Sequence, residues 1–297
     1  MIRFLAGISR APFLPLSLLC AILGIACGLD SGLPLSPMAA GLALSAALAA
    51  HTSVNAFNEY FDFRSGLDLH TIRTPFSGGS GALPSAPQHA RLALGWAFLT
   101  LALTLAIGLY FLWLRGWVLA SLGMIGIVLV VTYTPWIGRS PWLCLLAPGI
   151  GFGPVLVSGT CLALFGTVTA TSIWASLLMG VLVSGLLLAN QQPDADVDAR
   201  FGRRHIAIIY GSGFARRVLA MLWLAALPLL LVAIFADALP PLATVVALPL
   251  LVAIVNAWQL SRLPASAALP TSILARNVMV CLLTPLLLAA CLALARH

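Results

Sequence analysis

Charge is scarce in this chain and lysine is absent from it: only 8% of the 297 residues are charged, eight are acidic, and all fifteen basic residues are arginines. So few charges cannot solvate a soluble domain of this length. The missing lysine also rules out a P-loop, which needs one on the phosphates. Cysteine chemistry is excluded by position. Cys20, Cys27, Cys144, Cys161, Cys281 and Cys291 sit inside apolar runs with no CxxC and no histidine at ligand spacing, as packing residues do. The net charge of +7 does not mark a nucleic-acid binder, because the arginines sort by membrane side and not onto one basic face. No small-residue cleavage site leading into a soluble domain follows Arg3 and Arg10, so the first apolar run reads as a membrane helix and not as a signal peptide.

What is present is apolar length. The chain is 61% hydrophobic, with a mean hydropathy of +1.07. A bilayer crossing takes about 20 apolar residues, and such stretches succeed one another from Pro12 to Ala295. Breaks at proline, glycine and charge give nine spans, at roughly 12–29, 37–57, 90–112, 117–133, 142–157, 172–190, 218–235, 241–258 and 273–295. The expected fold is all-α, a polytopic membrane bundle of nine transmembrane helices forming one domain over residues 1–297. With the N-terminus cytoplasmic, thirteen of the fifteen arginines fall on that side and only Arg115 and Arg296 opposite, as the positive-inside rule requires.

Two polar segments interrupt this pattern, His51–Arg91 after the second span and Asn190–Arg217 after the sixth, both on the cytoplasmic side. They hold six of the eight acidic residues, Glu59, Asp62, Asp68, Asp194, Asp196 and Asp198, leaving only Asp30 and Asp237 elsewhere. Asn58-x-x-x-Asp62 in one segment answers Asn190-x-x-x-Asp194 in the other. Helical spacing places Asn55, Glu59 and Asp62 on one side of the second helix's end, and Asn190, Asp194 and Asp198 on one side after the sixth. Gly66 is expected to end the first of these helices, with Asp68 in the loop beyond. Carboxylates crowded at helix C-termini face the negative end of the macrodipole and one another, so their ionised forms need a countercharge. An all-oxygen set of Asp, Glu and Asn suits Mg2+, which is hard, octahedral, and keeps positions open for water and phosphate. A plain belt of salt bridges to Arg64, Arg200, Arg203 and Arg204 is the competing reading. Ionisable clusters at membrane helix ends are costly, which favours function.

Arg73 and the pair Arg203–Arg204 follow the two acidic clusters within eleven residues, so each segment presents a cation site and then guanidinium groups able to hold phosphate oxygens in a fork. That is the layout of a diphosphate clamp. The run Ser77-Gly78-Gly79-Ser80-Gly81 has the freedom to offer backbone N–H groups to an anion, although such runs are commonly just flexible loops.

The segments from Asn58 to Asp68 (NEYFDFRSGLD) and from Asn190 to Arg204 (NQQPDADVDARFGRR) resemble the two Asp-rich signatures of the UbiA-type membrane prenyltransferases. The helix count and the placement after helices two and six are similar to that family too. The resemblance implies a helical bundle around a cavity, capped on the cytoplasmic side by the two segments. It implies Asn58, Glu59, Asp62, Asp68, Asn190, Asp194 and Asp198 around Mg2+, with Asp62, Asp194 and Asp198 central to catalysis. The diphosphate would be bound by Asn58, Arg73, Arg139, Asn190, Arg203 and Arg204, with Tyr133 beside Arg139. Three departures stand out: Glu59 replaces the usual Asp, Gly66 stands where the family's last acid of the first motif falls, and arginines replace the usual lysine. The six-residue step from Asp62 to Asp68 is nearer the subset acting on 1,4-dihydroxy-2-naphthoate.

The activity so implied is transfer of a prenyl group from its diphosphate to an aromatic, quinone-precursor acceptor within the membrane. The implied partners are those two substrates and membrane lipids, with no nucleic acid, and the implied location is a bacterial inner membrane with the active site toward the cytoplasm. Metal and arginines would neutralise the leaving diphosphate, and an apolar cavity would shield the allylic cation from water. A terpene cyclase on the same fold and an ion-relay transporter are the alternatives, the transporter having few ionisable groups in its other seven helices to make a pathway. A CDP-alcohol phosphotransferase would need a DGxxAR motif, which is absent.

Overall fold

The computed structural model describes residues 1–29 and 34–295, and among these every regular element is helical. Asp30 and two residues used in the orientation argument, Arg296 and His297, lie outside the described residues. The main helices in order are α1 (Leu14–Gly28), α2 (Pro37–Ser65), α3 (Ala90–Arg115), α4 (Trp117–Thr132), α5 (Pro141–Phe165), α6 (Ala170–Gln191), α7 (Gly211–Phe235), α8 (Ala247–Ser261) and α9 (Thr271–Leu294). Eight of them, counting the short turns leading into α1, α3 and α8, are long and apolar enough to cross a bilayer. The exception is α4, whose 16 residues rise only about 24 Å.

Local chemistry sets the boundaries. The α2 helix starts at Ser36, whose hydroxyl accepts from the Ala39 amide, with Pro37 in the first turn. It runs two turns past the apolar stretch and stops where Gly66 turns left-handed at φ 86°. The α6 helix begins at Thr169, which accepts from the Ser172 amide at 3.0 Å. It ends at Gln192, one residue before Pro193, so the second motif is not one continuous helix: Asp194 stands at the start of a separate short helix, Ala195–Arg200.

Lipid offers no hydrophobic drive between helices, so close packing must hold the bundle. Small residues allow it where α5 meets α6: a Cβ on Gly149 would lie 2.5 Å from the Gly180 carbonyl oxygen, and one on Gly153 2.3 Å from that of Ser176. The main core gathers α1, α6, α7, α8 and α9 around fully buried Trp223, whose indole N–H donates to Asn277 Oδ1 at 2.9 Å. A second half packs α2 along α3, with α4 at its side. No residue of α4 is buried, and Trp113, Trp117, Trp136 and Phe235 near helix ends are largely exposed, as lipid-facing and interfacial aromatics are. Between the halves lies a cavity.

One helix departs from regularity. The α5 helix widens into a π-helical stretch at Gly151–Ser158, with Pro148 just before it and Pro154 within it. Each proline removes a backbone donor and forces the ladder to shift.

Candidate functional site

The cavity encloses about 450 Å3, and its two ends differ in chemistry. The polar end is framed by the C-terminal turns of α2, the loop after them, the end of α6 and the short helix beyond. Asn58, Asp62, Asp68, Asn190, Asp194, Asp198 and Arg203 all line it. The rest of the wall, from α1, α2, α3, α4 and α5, is almost wholly apolar. Seven of the eleven residues singled out from the sequence therefore share one chamber.

Their contacts are specific. Asp62 pairs with Arg203 and accepts from Asn58 Nδ2 at 2.9 Å; the Asn58 amide also reaches Thr134 Oγ1 at 3.1 Å. Asp194 Oδ2 accepts from the Gly78 amide at 2.9 Å, so the Gly/Ser run is pinned across the two motifs and is not a free loop. Asp198 lies 3.3 Å from His205 Nε2. The fit is tight where Gly79 passes Asp68: a Cβ there would stand 2.8 Å from Asp68 Oδ1, and the backbone is left-handed at φ 71°.

The carboxylates are held in a strained electrostatic balance. Burial, with repulsion from Glu59 and Asp62, pushes the Asp68 carboxyl up to about 7. Burial and the nearby Asp198 raise that of Asp194 to about 6, against the hydrogen bonds from Ser77 and Gly78. Both shifts come first from burial and then from neighbouring carboxylates, only partly offset by Arg10.

Among the described residues no three His, Cys, Asp or Glu side chains already converge as a cation cage. The donor set nevertheless fits a hard cation. Asp68 Oδ2 and Asn190 Oδ1 are buried oxygens without a hydrogen-bond partner. Buried acceptors left bare cost energy, and a cation between the motifs would satisfy both. The chemistry of the set, carboxylate and amide oxygens only, is that of Mg2+.

Four expected residues are placed elsewhere. Glu59 is fully buried and points away from the cavity, accepting from Arg10 Nε at 2.8 Å, from the Ser80 amide at 2.9 Å and from Ser80 Oγ at 2.6 Å. The reason is angular. At about 100° per residue, Glu59 lies at the edge of the arc that holds Asn58, Asp62 and Asn55, roughly 40° beyond Asn55 and 100° from Asn58, on the side where Arg10 and Ser80 meet it. Arg73, Arg139 and Arg204 are exposed and do not line the cavity. Arg73 folds over Gly81 and reaches the Asp68 carbonyl at 3.3 Å.

Other residues enter the site without having been singled out for it. Arg10 lines the cavity from a left-handed turn at φ 48° between the first short helix and α1, and its guanidinium reaches Glu59 across the chain. His205 is buried against Asp198. The only sequence signals were Arg10's position just before an apolar run and His205's place directly after the arginine pair. Neither spacing implies contact.

Comparison with known proteins supplies the context. The sequence model of the UbiA prenyltransferase family matches residues 17–277. The chain is 29% identical over 171 residues to the 1,4-dihydroxy-2-naphthoate octaprenyltransferase of Bacillus subtilis (strain 168), a match covering 57% of this chain and 53% of that relative. The aligned part thus spans about half the length of the relative. Among solved structures, a UbiA homolog from Archaeoglobus fulgidus bound to GPP and Mg2+ superposes with a TM-score of 0.70 at 16% identity, over 98% of this chain and 99% of the other. The apo structure of a UbiA homolog from Aeropyrum pernix K1 gives a TM-score of 0.70 at 20% identity, over 96% and 98%. At those identities the structural likeness speaks for the fold.

Proposed function

The chain belongs to the UbiA prenyltransferase family, and from that premise we propose that it transfers a prenyl group from a prenyl diphosphate to an electron-rich aromatic acceptor inside the membrane. The observation that carries this reading is the cavity's division into one acidic, arginine-bearing end and one apolar end. A diphosphate with a long hydrocarbon tail has the same division. The Archaeoglobus homolog is described with GPP and with DMAPP, each together with Mg2+, which supports the same ligand class here.

Asn58, Asp62, Asp68, Asn190, Asp194 and Asp198 would hold Mg2+, with Glu59 left out because its oxygens are committed to Arg10 and Ser80. Bound Mg2+ supplies the positive charge that neutralises the diphosphate as it leaves. Arg203, released from Asp62, donates its fork of N–H groups to phosphate oxygens, and Arg10 lines the same end from the opposite element. The apolar end excludes water from the allylic carbon while the C–O bond opens. Attack by the acceptor ring on the allylic carbon forms the new C–C bond, and the ring regains aromaticity by giving a proton to the released diphosphate, or by losing CO2 where the attacked carbon bears the carboxylate.

The preferred acceptor is a dihydroxynaphthoate, as in the Bacillus relative, which matches the Asp62-to-Asp68 spacing. The chain is proposed to cross the membrane nine times. The α4 helix would be the short member, accommodated by flanking turns and local thinning, and the N-terminus and both motifs would lie on the cytoplasmic side of a bacterial inner membrane. Purified protein given prenyl diphosphate, Mg2+ and dihydroxynaphthoate should form a prenylated dihydroxynaphthalene, with or without its carboxylate, detectable by mass spectrometry. Hydrolysis or cyclisation of the prenyl diphosphate, with no acceptor adduct, would overturn the reading.

A further inference from the structure

Away from the acidic end, the cavity wall is mostly apolar, and its polar members are few: Ser17, Thr104 and His51. His51 lies on the same face of α2 as Asn55, Asn58 and Asp62, and its ring opens onto the cavity. Its Nδ1 is 2.6 Å from Ser17 Oγ on α1, so that corner of the imidazole is taken. Phe152 meets the ring edge-on, with centroids 5.2 Å apart and planes at 87°. Phe152 sits within the π-helical stretch of α5, where the ladder is interrupted. Three elements, one of them irregular, thus converge to fix a single imidazole in an apolar wall. Irregular turns of this kind are frequent at functional sites, and a polar ring in a membrane interior is costly unless it has a use.

We propose that His51, oriented by Ser17 and flanked by Phe152, is the anchor for the oxygen substituent of the aromatic acceptor and thereby sets acceptor specificity. The anchor rests on the prenyl-transfer reading above and adds to it the place where the acceptor binds. With Nδ1 engaged by Ser17, Nε2 is the corner that faces the cavity. If the serine hydroxyl donates to Nδ1, Nε2–H donates to an acceptor oxygen; in the other tautomer Nε2 accepts from a hydroxyl. Either way the partner is an oxygen-bearing ring and not a hydrocarbon tail. Phe152 supplies an aromatic wall for that ring. His51 and Asn58 are seven residues apart on α2, about 10 Å along its axis, so an acceptor held at His51 extends toward the diphosphate end, where its nucleophilic carbon must meet the allylic carbon.

The test separates binding from turnover. Calorimetric titration of the detergent-solubilised protein with 1,4-dihydroxy-2-naphthoate, without prenyl diphosphate, should show binding that weakens about tenfold in His51→Ala and several-fold in Ser17→Ala, the loss of one and of a supporting hydrogen bond. In steady state the acceptor KM should rise by the same factor, with the prenyl diphosphate KM changing less than about twofold. 2-Methylnaphthalene, a ring of similar size with no oxygen, should bind the wild type and His51→Ala with similar weakness. Unchanged acceptor affinity in His51→Ala, or a raised prenyl diphosphate KM with the acceptor KM intact, would overturn the proposal, the latter placing His51 on the tail's path. Acceptor binding that depends on His51 without any prenyl transfer would leave the anchor standing and refute the transfer reading instead.

Discussion

Replacing Glu59 by alanine should destabilise the protein while sparing its cation requirement. Glu59 is fully buried and receives three hydrogen bonds, one from Arg10 and two from Ser80. Its removal leaves the Arg10 guanidinium and the Ser80 amide without their partner. Breaking a buried ion pair from one side costs about 3–5 kcal/mol; the Arg10 side chain is 26% exposed, so the lower end applies, about 3 kcal/mol. Spread over a chain of this size, that corresponds to a fall of roughly 6–12 °C in Tm. Glu59→Gln keeps an acceptor for Arg10 and Ser80 and should lose less than half as much. The assay can use the protein's own thiols: all six cysteines are buried, so a thiol-reactive dye in detergent reports unfolding. In a cycle with Arg10→Ala, the double variant should lose less than the sum of the singles. An unchanged Tm combined with turnover rescued by extra Mg2+ would refute the argument and restore Glu59 as a metal ligand.

Asp62→Asn and Asp194→Asn should each lower turnover by at least about a hundredfold; Asp194→Asn should do so with no loss of Tm, since it removes a negative charge from a crowded site, whereas Asp62→Asn should lower Tm slightly because Arg203 keeps only a neutral acceptor; wild-type activity in Mg2+ would contradict the assignment. Gly79→Ala should depress activity through Asp68, because its Cβ would stand 2.8 Å from Asp68 Oδ1 on a left-handed backbone, and activity equal to wild type would count against the pinned loop. The Asp68 and Asp194 carboxyls, raised to about 7 and about 6 above an ordinary value of ~3.9, hold more protons folded than unfolded. Their contribution to metal-free stability is therefore fully present below about pH 4 and is lost as pH rises through 6 to 7. Mg2+ competes with those protons, so its apparent affinity, followed by the Mg2+-induced rise in Tm, should increase over the same range; a pH-independent affinity would contradict it. Reporter fusions should place Met1 in the cytoplasm and His297 outside; both on one side would refute nine crossings.

Much of the site was legible before the fold because it lies in two short segments whose composition contrasts with everything around them. Asn58 with Asp62, and Asn190 with Asp194, needed only helical spacing and a shortage of acids elsewhere to stand out. Glu59 was expected at the cation because helical spacing groups it with Asn55 and Asp62; its contacts with Arg10 and Ser80 were not legible because both are distant in sequence. Asp198 was expected on the same helix face as Asn190; Pro193 breaks that helix, and the short helix Ala195–Arg200 brings Asp198 back to the cavity by another route. Eight of the nine expected spans were readable from hydropathy, but the π-helical stretch of α5 was not, since Pro148 and Pro154 mark where a ladder fails without saying how it is repaired. His51 was visible only as a lone histidine. Its meaning depends on Ser17 and Phe152, which no local pattern connects.

The central claim is that one cavity joins a cation-dependent diphosphate site to an apolar reaction chamber. The most direct measurement follows prenyl diphosphate and 1,4-dihydroxy-2-naphthoate with purified protein by mass spectrometry, with Mg2+, with EDTA, and with Mg2+ restored. A prenylated dihydroxynaphthalene, with or without its carboxylate, is expected in the first condition, none in the second, and recovery in the third. Full product formation in EDTA would contradict it.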